Sequence, residues 1–297
     1  MQTSASLAGS VVSLWRYPVK SMQGEQIDTT AITERGILGD RAYAILDRET
    51  GHVASAKHPR KWSKLIACRA AFVEPPQLGA PLPAIAITLP DGQVVSSAQP
   101  DIDRILSRLF EREVSLVTTL AASPTREADR TPIDGTPEQE LIRAEPMAIA
   151  SPSGTFFDYA PVHLLTTATI ARLQALFPAG RFDVRRFRPN IVVAPAAQVE
   201  GFVENDWLGR AIVIGAEAAP RLDLIDPSPR CVVTTLAQED LPRDPGILRT
   251  IAQHNAAASV TAAPGVVFPA VAGVYAAVRR DGTIRQHDPI FLSEQGA

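Results

Sequence analysis

Twenty-five prolines among 297 residues limit what this chain can fold into. Proline removes a backbone donor and collides with the preceding helical turn. Long helices are therefore disfavoured, and short strands joined by turns are favoured. Three turn signals agree: Arg48-Glu49-Thr50-Gly51, Pro90-Asp91-Gly92 and Arg279-Arg280-Asp281-Gly282 each sit between short apolar runs and read as hairpins. Helical spacing surfaces in three places. Asp101–Phe110 sets Ile102, Ile105, Leu106 and Leu109 on one face, with Asp101 as the N-cap. Thr167–Leu176 does the same with Ile170, Leu173 and Leu176, and Pro245–Gln253 opens on a proline suited to a first turn. The expectation is an α+β, β-rich protein with a few helices.

Ser10–Tyr17, Gln26–Ile32, Arg41–Asp47, His52–Ala56 and Lys64–Val73 read as strands of the first part. Residues 121–160 shift to Pro, Asp, Glu, Thr and Ser with few large apolar side chains. That composition suits a long connection or lid and divides the chain into 1–120 and 121–297.

The net charge of −3 gives no support for a nucleic-acid binder. The first ten residues lack the basic and apolar regions of a signal peptide, and no apolar run approaches a membrane span. Two cysteines 163 positions apart make no disulfide framework, which points to a reducing, cytoplasmic setting. The five histidines are isolated, and no HExxH or CxxC spacing argues for zinc. No P-loop, GxGxxG or GxSxG elbow follows a strand.

One cysteine stands out. Cys231 follows Asp226-Pro227-Ser228-Pro229-Arg230, a segment too proline-rich for helix, and precedes the β-branched run Val232-Val233-Thr234-Thr235. A thiol beside a guanidinium favours its thiolate and is a candidate soft-metal ligand. It could equally be a small buried hydrophobe. Cys68, within Leu65-Ile66-Ala67-Cys68, has no such surroundings and reads as core. Lys20, Ser21, Arg41, Arg188, Asn190 and Arg230 all fall where strands meet loops. Cations and hydroxyls so placed can converge on a phosphate, or can be solvated turn residues.

Taken in order, Tyr17-Pro18-Val19-Lys20-Ser21, Gly39-Asp40-Arg41, Arg186-Phe187-Arg188-Pro189-Asn190-Ile191, Arg230-Cys231-Val232-Val233-Thr234-Thr235 and Asp288-Pro289-Ile290 resemble the MOSC family. The arrangement is similar to the mitochondrial amidoxime-reducing component and its bacterial relatives. The resemblance implies an N-terminal β-barrel domain over 1–120 and a MOSC β-barrel domain with flanking helices over 121–297. It implies a molybdenum–molybdopterin cofactor (Moco), with Cys231 as metal ligand and catalytic centre. Lys20, Ser21 and Arg41 would hold the pterin and its phosphate, and Arg188 and Asn190 would belong to the same pocket. Further cofactor contacts are implied at Thr166 and Thr167, at Ser228 and Arg230, and at Tyr275.

The activity so implied is reduction of N-hydroxylated or N-oxide-type substrates by oxygen transfer to molybdenum. Some bacterial relatives carry a C-terminal iron–sulfur domain; this sequence has no cysteine cluster for one, so a separate iron–sulfur or flavin electron-donor protein is expected. Two other readings remain: a sulfur carrier using a Cys231 persulfide, and a non-catalytic module that binds the pterin cofactor.

Overall fold

The computed structural model describes residues 5–118, 120, 124–129, 142–196, 199–216 and 219–293. Seven strands close into a barrel. In chain order they are β1 (Ala5–Arg16), β2 (Val162–Thr166), β3 (Ile191–Pro195), β4 (Ala211–Ile214), β5 (Arg221–Pro229), β6 (Val271–Arg280) and β7 (Pro289–Ser293). Around the ring the order is β3-β2-β6-β5-β4-β7-β1, and β1 returns to β3. The β-rich α+β class expected from the prolines is the class observed.

The first strand of the chain is thus a stave of a barrel otherwise built from residues beyond 160. β1 pairs with β7 from Ala5 to Ser10 and with β3 from Gly9 to Leu14. Where the two pairings overlap the backbones come close. A Cβ at Gly9 would lie 2.2 Å from the Ala194 carbonyl oxygen, so only glycine fits the closing seam. β2 and β3 are parallel, unlike the other barrel pairs, and so need a crossover. The segment between them supplies two helices, α2 (Thr167–Leu176) and α3 (Val184–Phe187). Numbering them in chain order leaves α1 for Ile102–Phe110 and α4 for Pro245–His254.

Strand alternation sorts the side chains. Val162 and Leu164, Ile191 and Val193, Ile212 and Ile214, and Val274 and Ala276 all enter the barrel core. Their sequence neighbours face the other way. Leu165 packs with Leu173, Phe187, Ile247 and Ile251 under the helices. His163 and Tyr275 share this outer face of the barrel, their rings 5.8 Å apart.

Residues 19–116 form a second core around Val19, Met22, Ile45, Trp62, Ile87 and Leu106. Two small sheets and α1 cover it: Ala44–Asp47 with Val114–Val117, and Arg69–Phe72 with Ile85–Thr88 and Val94–Ser96. No helix among the described residues is long and apolar enough to cross a membrane.

The helices fall where the spacing put them, although Asp101 does not cap α1 with its side chain and pairs with Arg104 instead. The caps of α2 and α4 are made. Thr166 Oγ1 accepts from Thr169 N at 3.2 Å, and Asp244 Oδ1 accepts from Gly246 N at 2.8 Å. One of the three hairpins differs. Gly282–Arg285 pairs with Thr29–Thr33 and not with its sequence neighbour β6, because Ile284 there completes the barrel core. The Arg48–Gly51 hairpin is short: Asp47 N donates to His52 O at 3.0 Å, Ala54 N donates to Ile45 O at 2.8 Å and Leu46 bridges Val53, while the other edge of Ala44–Asp47 pairs with Val114–Val117. The Pro90-Asp91-Gly92 hairpin forms as expected.

The proline-rich approach to Cys231 is strand, not loop. β5 admits Pro227 and Pro229 through irregularities in its pairing with β6 between Leu224 and Asp226 and between Pro227 and Pro229. The β-branched run Val232–Thr235 is a 3-10 turn rather than a strand. Within 121–160, residues 121–123 and 130–141 lie outside those described. Thr125–Asp129 and Ile142–Pro146 pair as a two-stranded ribbon.

Candidate functional site

Three loops carry the first group of side chains, and each bends at a residue in the left-handed region. Ser21, Arg41 and Arg188 have φ of 66°, 47° and 55°. Non-glycine residues rarely adopt this conformation, and such outliers gather at functional sites.

Asp40 ties two of these loops together. Its buried carboxylate accepts from Tyr17 N at 2.7 Å and from Asn190 Nδ2 at 2.9 Å, and it pairs with Arg41. Asn190 Oδ1 accepts from His163 N at 3.1 Å, which joins the loop before β3 to β2. Above this hub the guanidinium carbons of Arg41 and Arg188 stand 4.4 and 4.3 Å from the centroid of the Tyr17 ring. Arg188 donates to Met22 O at 2.6 Å. Burial, followed by the nearby charge of Arg41, lowers its pKa to about 10.

These residues wall a solvent-open cleft with about 760 Å³ of empty space. Lys20, Ser21, Arg41, Arg188, Asn190, Arg230, Cys231 and Tyr275 all line it. Among the described residues five basic side chains line it, because Lys57 joins Lys20, Arg41, Arg188 and Arg230, against one acidic residue, Asp158. Arg230 donates to Phe187 O at 2.6 Å and to Ser228 Oγ at 2.7 Å, while its buried Nε has no partner. Cys231 is half-buried, and its thiol is free.

The other sequence-derived candidates lie elsewhere. Thr166 is fully buried and does not line the cleft; with Thr169 it donates to Glu204, at 2.6 Å from Thr166 and 2.7 Å from Thr169. The reason is its position as N-cap of α2, at the end of β2, where its hydroxyl meets Glu204. Thr167 opens that helix and is also not at the cleft wall. Ser228 is fully buried behind Arg230 and holds it from below. Cys68 is core, and burial pushes its thiol up to about 12.

Sequence reading missed Lys57, Asp158, Tyr159 and His163, all on the cleft wall. Burial holds the His163 imidazole well below its ordinary pKa, so the ring is neutral and its Nε2–H donates to Ala272 O at 3.2 Å. Gly273 makes this possible. With φ of 82°, a Cβ there would stand 2.3 Å from His163 Nε2. A lone histidine and a lone glycine give no sequence signal for this; only the antiparallel register of Leu164 with Val274 brings them together.

Known proteins place the geometry in a family. The family model described as the MOSC N-terminal beta barrel domain matches residues 8–79, and that described as the MOSC domain matches residues 152–291. The mitochondrial amidoxime reducing component 2 of Rattus norvegicus is 24% identical over 303 residues, covering 95% of this chain and 83% of that protein. Its Homo sapiens counterpart is 23% identical over 310 residues, with the same coverage of 95% and 83%. Among solved structures, the YUAD protein from Bacillus subtilis aligns over 99% of this chain and 100% of its own at 11% identity, with a TM-score of 0.46. On the two family-model matches the chain belongs to the MOSC-domain family, with a MOSC N-terminal β-barrel domain ahead of the MOSC domain.

Proposed function

We propose that this protein is a molybdenum-cofactor-dependent oxidoreductase that reduces N-hydroxylated or N-oxide-type compounds. One observation carries the reading: a half-buried free thiol shares a cleft with five basic side chains and one carboxylate. An excess of cations around a soft donor fits a group that is both anionic and thiophilic. The unpartnered Nε of Arg230 fits too, since a buried donor without an acceptor is costly. The names of the curated relatives, amidoxime reducing components, agree with the substrate class.

In this reading Cys231 supplies the protein's ligand to the metal. Lys20, Ser21, Arg41 and Arg188 would hold the pterin phosphate, with Asn190 bracing the loops that present them. When bound, the cofactor supplies two-electron chemistry with exchange of an oxygen atom. The chain's own part is placement. Asp40 fixes Arg41 and Asn190, Tyr17 stacks both guanidiniums, and neutral His163 backs the cleft without adding charge. Electrons would come from a separate iron–sulfur or flavin protein in the cytoplasm. The two units implied by the family, 1–120 and 121–297, share one barrel in this reading, because the strand Ala5–Arg16 of the first closes the barrel of the second.

Metal analysis of protein made in a host that synthesises the cofactor tests this directly. The expectation is about one molybdenum per chain and reduction of benzamidoxime by reduced viologen. Protein free of molybdenum and unable to turn over would overturn the reading. A persulfide on Cys231 in such protein would favour sulfur transfer.

A further inference from the structure

A second chamber adjoins the first and differs from it in chemistry. It offers about 940 Å³ of open space and shares Lys57, Asp158, Tyr159, Arg230, Cys231 and Tyr275 with the cationic cleft. The thiol therefore stands at the boundary of the two. The far wall of the second chamber is apolar, made by Pro146, Ile149, Ala262 and Phe268. Ile149 leaves 69% of its surface exposed there. The aromatic pair Tyr159 and Tyr275, with centroids 5.3 Å apart, lines both chambers, as the thiol does.

Charge separates the chambers further. Lys57, Arg126 and Arg230 line the second one, matched by Glu145, Asp158 and Asp226. Most of these are committed. Arg126 Nη2 is 3.2 Å from Glu145 Oε2, and Lys57 Nζ is 3.1 Å from Asp158 Oδ2. Asp226 accepts from Ser259 Oγ at 2.7 Å, from the backbone N–H groups of Val260, Thr261 and Ala262, and from Tyr159 Oη. A small anion entering here would meet as many carboxylates as cations, with Arg126 and Lys57 already in ion pairs, and would gain little over water. A neutral molecule with a planar body would cover Ile149 and Phe268 and stack on the tyrosines.

We propose that this second chamber binds the substrate, and that it selects neutral molecules with a flat apolar body over small inorganic anions. The proposal rests on the oxidoreductase reading for what is done to the occupant, though not for its binding. Ile149 and Phe268 set the preference; Cys231 marks the end toward which the polar head points.

Ligand-observed NMR on the full chain tests it, with benzamidoxime and nitrate as probes and Ile149→Asp and Phe268→Ala as variants. Benzamidoxime should bind the wild type and be about tenfold weaker in each variant, from loss of apolar burial. Nitrate should not compete with it. Circular dichroism and molybdenum content should match the wild type, which separates a lost chamber from a lost fold or cofactor. Unchanged benzamidoxime binding in both variants, or displacement by millimolar nitrate, overturns the proposal. Binding that behaves as expected in protein free of molybdenum would leave this chamber standing while the oxidoreductase reading fell.

Discussion

Lys20 Nζ lies 2.6 Å from Asp158 Oδ1, with both groups at the wall of the cationic cleft. Asp158 is shared: Lys57 Nζ is 3.1 Å from its other oxygen and Arg126 Nη1 is 3.7 Å away. Burial raises the cost of charging Asp158, but this ring of cations outweighs it and holds the carboxylate well below its usual range. Lys20 fares differently. Burial lowers its pKa to about 7, against the pull of Asp158 and with the help of Arg126.

That lysine makes anion binding depend on pH. Below pH 7 its ammonium is present; above, it is lost. The folded pKa is lower than the unfolded one, so Lys20 disfavours folding fully below pH 7, and the penalty is relieved as pH rises from about 7 toward 10.5. Anion affinity runs the other way and strengthens as pH falls through 7. Sulfate, dianionic throughout, should raise the thermal midpoint of the cofactor-free protein by a few degrees more at pH 6 than at pH 8. Lys20→Met should flatten that difference. Equal sulfate responses in wild type and variant would remove Lys20 from the anion site.

The two cysteines should separate cleanly. Cys231 is half-buried, so Cys231→Ala should leave the denaturation midpoint within about 0.5 kcal/mol of wild type. Metal and turnover should be lost. Cys68 is fully buried with Sγ donating to Lys64 O at 3.3 Å. Cys68→Ala should cost about 1–2 kcal/mol and spare the metal. At pH 8 in cofactor-free protein, iodoacetamide should modify Cys231 alone, because burial holds Cys68 as the thiol. Mass spectrometry of tryptic peptides reads the outcome.

Short-range patterns were legible in the sequence, and long-range register was not. The helix α2 could be read from Ile170 and Leu173 because its period is local. The barrel came from the family resemblance and not from any local period, because its closure joins Leu14 to Ile191 across most of the chain. The site divides in the same way. Motifs announced Lys20, Arg41, Arg188 and Cys231, each beside a distinctive proline, glycine or arginine. Asp158 and Tyr159 sit in a polar stretch with no pattern, and only folding sets Lys20 against Asp158, 138 positions away. Thr166 is ambiguous in the sequence for a local reason: a hydroxyl before a helix is as good a cap as a ligand contact, and the fold shows it capping.

Thr166 should accordingly matter to stability rather than to the cofactor. With Thr169 it surrounds Glu204, whose carboxyl is raised by burial against the hydrogen bonds of both threonines. The folded protein therefore holds this proton to higher pH than the unfolded chain. The contribution is fully present below the unfolded value near 4.5 and is lost as pH rises through the raised folded value. Glu204→Gln should remove that part of the pH slope in urea titrations. Thr166→Val should cost about 1–2 kcal/mol with molybdenum per folded chain unchanged. Loss of metal from folded Thr166→Val would return Thr166 to the cofactor site.

Asp226 is the residue whose replacement should disturb the chamber beside Cys231 without touching the thiol. Its carboxylate lies on β5, five positions before Cys231, and gathers the loop 259–262 together with Tyr159. An asparagine at 226 keeps the shape but presents an amide nitrogen, which cannot accept, to donors now satisfied by the carboxylate. At least one donor would be left unpaired, at a cost of about 1–3 kcal/mol. The Tyr159 ring would lose the anchor that sets it against Tyr275. Asp226→Asn should therefore lower the denaturation midpoint and raise KM for benzamidoxime several-fold, with kcat and molybdenum content less affected. Tyr159→Phe, which leaves the backbone donors to Asp226 intact, should show the KM effect with little loss of stability. A fall in kcat at constant KM in both variants would mean that Tyr159 acts on the reaction itself and not on the shape of the chamber.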